Sequence, residues 1–538
     1  MDKSQLKLDP KNKSVKNSLK MLAEREYPRI LTQFCRDPNN FAYGCADRNW
    51  WHYKIRDFPS IILQQAGLTI YMGHSLKFDD DEKLNNLVRA SALFWNQRVI
   101  RYGAFEEYYP WEKGYPPLAF STLSIMLIIK EGLIPPGYLY KGIQKASVQL
   151  IDRFESQAAN QQIAGLAALS FIKRIYPELV PNEKFEIISE NSLALQDPEG
   201  WFKEYGGPDL GYLSVTIDCL WDLYDATNDE KYVQSAGQAL SFIESMINSV
   251  GGTIGMHNAR NTDYIVPYGI TRFLIRKDKY SNKARSIIEK IYNEADSNEH
   301  FFASIDDRYW CHYIGASLFR SINIFPDNFE LTKSKSKSVN FITFKNSGYI
   351  LFKTKRGQVL VSTLKGGILS LYNGKVNFSD YGWILGKHSM QLVNHFWSNS
   401  WVSTYKKKKD CLEIKVKGPL FINKHLINNP FKHFVLRILS LIIGRHLIQF
   451  LKSKLIFKSG FSSSNFIRTI KIKEDKIVIK DKITNSANFN LMRAPRSSKR
   501  HVASADTFHQ EDLVSQFKYK EKRETTDQYT LITTEYLL

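Results

Sequence analysis

Long uninterrupted apolar runs, paired cysteines and a surplus of acidic residues are all missing from this chain. Its five cysteines (Cys35, Cys45, Cys219, Cys311 and Cys411) are odd in number and scattered through 538 residues without metal-ligand spacing. That excludes a disulfide framework and a zinc-type site, so reduced thiols, no metal and no cofactor are expected. Residues 1–20 are polar and Lys-rich with no apolar stretch of signal-peptide length, which points to a cytoplasmic place of work. No zinc finger, helix-turn-helix or similar signature stands in the sequence, so nucleic acid is not expected as a partner. No repeat of fixed length appears either, which argues against a plain helical solenoid.

The rest is rich in what a folded protein needs. Apolar residues make up 43% and aromatics 13% of the chain, enough for sizeable cores, and the length calls for two domains. Lys and Arg number 74 against 54 Asp and Glu, a formal charge of +20 that favours an anionic partner.

Periodicity divides the chain. Residues 1–20 read as a flexible arm, lacking an apolar period. Residues 21–332 alternate helical apolar patterns with turns, about twelve helices punctuated at Pro135-Pro136, Pro181, Gly206-Gly207 and Gly251-Gly252. Paired helices with long loops at one end predict an (α/α) toroid, whose inner helices surround a cleft. At 333–339, a Lys/Ser run, the composition changes and the period becomes two. Segments 340–344, 349–354, 358–363, 412–417, 466–473, 476–483 and 529–534 predict an antiparallel β-sandwich over 333–538. The whole is a multidomain protein, α then β.

One stretch breaks the β pattern. Residues 429–458 are helical and very apolar, edged by Lys432, Arg437, Arg445, Lys452, Lys454 and Lys458. These charges are too many for a comfortable membrane span. The pattern suits a helix lying in an anionic membrane interface, at the inner face of the membrane, and equally a helix capping the β-domain.

Candidate chemistry gathers in two loops, 196–212 and 251–269, both dense in Gly, aromatic and polar residues. Loops that only join helices need no such composition. Large aromatics beside Glu, Asp, His, Asn and Arg suit a sugar. Two further stretches offer stacking faces for pyranose rings: Arg48, Trp50, Trp51 and His52 in one, Trp111 in the other. A basic run from Arg493 to His501 reads as a solvated loop or a face for an acidic glycan.

A toroid followed by a β-sandwich resembles the heparinase II/III-like superfamily of polysaccharide lyases and uronate C5-epimerases. In that family an Asn, commonly followed by His, opens a small-residue helix and neutralises the uronate carboxylate. Asn160 has this setting, with Gln161 where His is usual. The resemblance implies that Tyr212, after an acidic Gly-rich loop, carries the C5 proton, with Tyr205 second. It implies that His257, Arg260 and Tyr264 complete the site, with Glu204 beside them. The partner it implies is an acidic polysaccharide or oligosaccharide, lipid-linked if the chain works in surface-polysaccharide biosynthesis.

The chemistry stands apart from the family. A proton α to a carboxylate is weakly acidic, so the developing enolate needs positioned donors or a cation, which Asn160, His257 and Arg260 can supply. A Tyr beside positive charge is a fitting base. Plainer readings stand beside these. Asn160 can be a helix N-cap, Tyr212 core packing, His257 surface, and Arg260 a partner of Asp263. Two other functions compete: a glycoside hydrolase with Glu204 and Asp209 as paired carboxylates, and a non-catalytic glycan-binding protein.

Overall fold

The computed structural model describes residues 14–53, 62–76, 81–106, 113–331, 340–373, 376–387, 390–408, 411–424, 429–443, 446, 460–495 and 519–538. Trp111, the 333–339 run, residues 496–501 and most of 444–458 lie outside them.

Six helices form a closed inner ring: α3 (Ile62–His74), α5 (Tyr115–Lys130), α7 (Ala159–Ile175), α9 (Leu210–Thr227), α11 (Tyr268–Arg276) and α14 (Gly315–Ile324). Each packs on the next, and α14 returns to α3. Six more stand outside: α1 (Val15–Leu31), α4 (Asp81–Tyr102), α6 (Tyr140–Ile151), α8 (Asn182–Leu193), α10 (Glu230–Val250) and α12 (Ser281–Ile291). Two short helices, α2 (Arg48–Tyr53) and α13 (Asp307–Tyr309), lie between them. The expected toroid is present.

Burial follows ring position. Every residue from Tyr115 to Ile129 is buried, and so is every residue from Leu210 to Leu223. A helix surrounded on all sides is apolar all round, whereas the outer helices bury one stripe. Caps set the boundaries. Asp209 accepts from the Tyr212 N–H and Asp229 from the Lys231 N–H, at the starts of α9 and α10. The same two helices end on left-handed residues, Asn228 (φ 58°) and Gly251 (φ 81°).

The N-terminal arm differs from expectation. Residues 15–20 open α1, where Val15 and Leu19 are fully buried and the Lys16 ammonium meets Asp327 at 2.7 Å. The apolar spacing of this turn is too short to register as a period by itself. Its partner is α14, almost three hundred residues later. Packing of the first helix on the last completes the sixth pair of the toroid.

Among the described residues the β-domain contains two antiparallel sheets. The first is a meander of β1 (Phe341–Phe344), β2 (Tyr349–Thr354), β3 (Gly357–Ser362), β4 (Ile368–Tyr372) and β5 (Val376–Asp380). The second has nine strands: β6 (Trp383–Lys387), β7 (Met390–Val393), β8 (Val402–Lys408), β9 (Cys411–Lys424), β10 (Phe461–Lys473), β11 (Lys476–Thr484), β12 (Asn490–Arg493), β13 (Tyr519–Thr525) and β14 (Tyr529–Leu537). The five-stranded sheet is a middle layer. Tyr349, Leu351, Leu360 and Tyr372 join the core of the helical domain, while Ile350, Phe352, Val359, Val361 and Leu371 join the core between the sheets. With both faces covered, β2 and β3 bury nearly every residue.

Candidate functional site

The site is built where three pieces of chain meet: the start of α7, the loop before α9, and the loop before α11. Asp209 ties the second to the third. Its carboxylate accepts from the N–H of Tyr212 (3.2 Å) and of Arg260 (3.0 Å), and from the Thr262 hydroxyl. Asn258 adds a second tie, accepting from the Leu210 N–H at 2.9 Å and donating to the Thr262 carbonyl at 2.7 Å. Asp209 is fully buried and its oxygens are taken up by these donors. It holds the loops in place, so the pairing of Glu204 with Asp209 as hydrolytic carboxylates lacks its second member.

Glu204 ties the first piece to the second. Its Oε1 accepts the Asn160 N–H at 2.8 Å, satisfying one of the orphan donors at the start of α7. Asn160 is therefore not the N-cap. Ala158 holds that position, and Asn160 lies in the first turn, buried. The other Glu204 oxygen, Oε2, is buried with no hydrogen-bond partner. Burial pushes the Glu204 carboxyl well above its usual range; Asp209 adds to this, and the Asn160 N–H and Arg260 oppose it. The group is held toward its protonated form.

Arg260 lies with its guanidinium 4.2 Å from the centre of the Tyr205 ring, and its Nε is also buried without a hydrogen-bond partner. Tyr205 stands in the left-handed region at φ 54°, a strained setting for a bulky residue. Gln161, at the position of the expected His, has a buried Oε1 in the same unpartnered condition. Each such atom costs about 1–3 kcal/mol unless something polar meets it. Three of them sit on Glu204 in the loop before α9, on Gln161 in the first turn of α7 and on Arg260 in the loop before α11.

Tyr212, at the start of α9, is buried to 8% exposure, and its ring meets Tyr264 edge-on at 6.5 Å. The Tyr264 hydroxyl shares a 2.7 Å hydrogen bond with that of Tyr313. Burial holds the Tyr264 phenol well above its ordinary pKa, so this link stays neutral. The chain of rings continues to His312, whose ring centre is 4.0 Å from that of Tyr313. His312 stands at a backbone break (φ −80°, ψ −117°) inside the π-turn Trp310–Ile314. Its Nδ1 is buried without a partner, and burial beside Arg308 lowers its pKa to about 3. Periodicity hid this residue, because a break inside a helix leaves the apolar pattern almost unchanged.

His257 turns toward the β-domain. It was expected to face substrate, but Nδ1 is 2.6 Å from the Ser362 hydroxyl and Nε2 is 2.9 Å from that of Ser370. Both serines belong to the five-stranded sheet. Burial, with the charge of Lys365, brings its pKa to about 3, so the ring is neutral and supplies no positive charge. Lys365, itself buried, donates to the Met256 carbonyl at 2.6 Å and to Asn258 and Asn261, and the Tyr349 hydroxyl donates to the His257 carbonyl at 3.0 Å. This histidine pins the loop to the β-domain.

The β-domain also reaches the Gly206-Gly207 turn, where the half-buried Trp397 ring lies against both glycines. A Cβ on Gly207 would enter that ring, which explains the second glycine. No sequence signal marked Trp397, since the residue sits alone in a loop far from its partner. The first aromatic stretch is placed elsewhere. Trp50 is buried between Phe41, Phe94 and Arg98, and Trp51 is half-buried with its indole N–H on the Gln33 carbonyl at 2.8 Å. Arg48 and His52 are exposed beside them. These tryptophans pack helix ends. On the ring axis, Gln65, Phe120, Asp218, Asp222, Tyr313 and Arg320 line a cavity of about 30 Å³, room for a water rather than a sugar.

These features define a helical toroid whose polar loop end is gripped by a β-domain. No protein-family model matches the sequence, and no curated protein matches it. Among solved structures, the chain is similar to the Streptomyces coelicolor A3 chondroitin AC lyase in complex with chondroitin sulphate. Identity there is 10%, over 98% of this chain and 78% of that one, with a TM-score of 0.47. It is similar to heparinase III at 12% identity, over 99% and 87% of the two chains, with a TM-score of 0.44. It is similar to a Paenibacillus xanthan lyase at 11% identity and a TM-score of 0.44, covering 98% of this chain but only 56% of that chain's length. Identities and scores this low assign no residue a role; the fold stands on the closed ring and the two sheets themselves.

Proposed function

We propose that this protein acts on a uronate-containing glycan by removing the proton at C5, with Tyr212 as the base. The observation that supports this most is the meeting of an unpartnered Glu204 oxygen and an unpartnered Arg260 nitrogen around Tyr205, one loop before Tyr212. A carboxyl whose pKa burial raises and a guanidinium together offer hydrogen bonds and charge to a sugar carboxylate, and Asn160 and Gln161 add amides. Tyr205 presents the sugar with a ring face. The base takes the C5 proton, and its electrons pass into the carboxylate as an enolate. In a lyase they return to form the C4–C5 double bond while the C4–O bond breaks, the leaving oxygen taking a proton. In an epimerase the proton returns to C5 from the other face. The hydrolase reading is weakened by the saturation of Asp209.

The test is to incubate the protein with a panel of uronate polysaccharides and follow ultraviolet absorbance of an unsaturated product and deuterium uptake from solvent at C5. Tyr212→Phe should lower either signal roughly 10²–10⁴-fold with the fold intact. Unchanged turnover in that variant removes Tyr212 from the reaction. Glycan binding without either signal leaves a binding protein.

A further inference from the structure

The helix α15 (Pro430–Ile443) turns its apolar side outward. Phe431, Phe434, Val435, Ile438, Leu441 and Ile442 recur at helical spacing and form one stripe, and all six are exposed, Phe431 to 74% and Ile442 to 75%. The residue that is buried is Ser440, on the opposite side, with Leu436 and Arg437 half-buried next to it. Over these residues, a helix capping the β-domain with its apolar face would show the reverse arrangement. Scattered apolar side chains on a surface need no explanation; a contiguous stripe of six does.

The charge around the stripe identifies what covers it. Lys432 is exposed at one margin of the stripe, where a long basic side chain follows the apolar surface with its stem, and the chain as a whole carries +20. A second copy of this chain would bring one charge of +20 against another, which disfavours self-association through this face. Among the described residues no helix is long and apolar enough to cross a membrane. We propose that α15 docks the protein on an anionic lipid surface, lying in the plane of the interface with the stripe in the acyl boundary. This is independent of the glycan chemistry.

The test is flotation of the full chain with vesicles of phosphatidylcholine alone and with added phosphatidylglycerol, together with its oligomeric state in the absence of lipid. The protein should float with the anionic vesicles, about tenfold less with the neutral ones, and less as salt rises. The triple variant F434S/I438S/I442S should bind roughly 100-fold more weakly, having lost three buried apolar groups, with an unchanged melting temperature because none of the three is packed. Equal flotation of that variant overturns the proposal. So does a wild-type chain that ignores vesicles, whether it stays monomeric or forms a dimer that the triple variant dissolves.

Discussion

Two clusters of buried charge in this molecule are handled in different ways. In the β-domain, Arg468 is fully buried and holds Asp481 with two hydrogen bonds (2.8 and 2.7 Å), Asp380 at 2.9 Å and the Gly367 carbonyl at 3.2 Å. The acids are completed by Trp383 on Asp481 and by Arg493, Tyr536 and the Gly382 N–H on Asp380. Burial alone would raise Asp380, yet Arg468 and Arg493 bring its carboxyl down to about 2. Where the helical loops meet, Glu204 and Arg260 are also buried, but each keeps an atom without a partner, and the carboxyl moves up instead. A satisfied network is scaffold. An unsatisfied one is the place to look for a ligand.

Removing the central cation of the satisfied cluster should have the largest effect. Arg468→Met leaves two acids buried and should cost about 3–5 kcal/mol in denaturant unfolding. Glu204→Gln should change stability by no more than about 1 kcal/mol, since the neutral form is already favoured there. Equal losses in the two variants would erase the contrast.

Acid sharpens it next. His257 and His312 titrate near 3 when folded, so the unfolded chain binds their protons first as pH drops below about 6.5. Their contribution to stability is full above that pH and declines toward pH 3, by up to about 1.4 kcal/mol per unit for each histidine. Asp380 behaves as a depressed acid: its share, roughly 2–3 kcal/mol, is present above about pH 4 and lost as pH falls to about 2. Unfolding free energies at pH 7, 6 and 5 check the histidines. His257→Gln, which can still bond the serines, should remove one histidine's slope, and an unaltered slope would mean that the ring is not held neutral.

Gly207→Ala is a smaller change than Arg468→Met. The new methyl must displace Trp397, at about 1–3 kcal/mol of overpacking. If melting curves do not move, the β-domain does not grip this turn as tightly as its geometry implies.

Much of the fold could be read from the residues. The period of 3.6 before residue 332 and the period of two after 340 are local properties, and the strands at 349–354, 412–417 and 476–483 lie where alternation put them. Strands such as Ile368–Tyr372 and Trp383–Lys387 were missed, the first because its position in the middle layer covers both its faces and removes the alternation. Of the site, the two loops were legible as unusual and do meet through Asp209 and Asn258. The roles within them were not. Asn160 as cap, Asp209 as hydrolytic acid and His257 as catalytic group were all reasonable from residue type, and all depend on partners remote in the chain.

Sequence alone determined the order of elements, the change from helix to strand, the loops in which chemistry gathers and the excess of positive charge. These follow from spacing within a turn or two and from composition. Tertiary structure alone decided that α1 closes the ring, that His257 faces Ser362 across 105 residues, that Glu204 and Arg260 keep unpaired atoms, and that α15 turns its apolar side outward. The reason is physical: a periodic pattern states that a face is apolar, but whether an atom is satisfied, or a face covered, depends on which distant segment arrives to meet it.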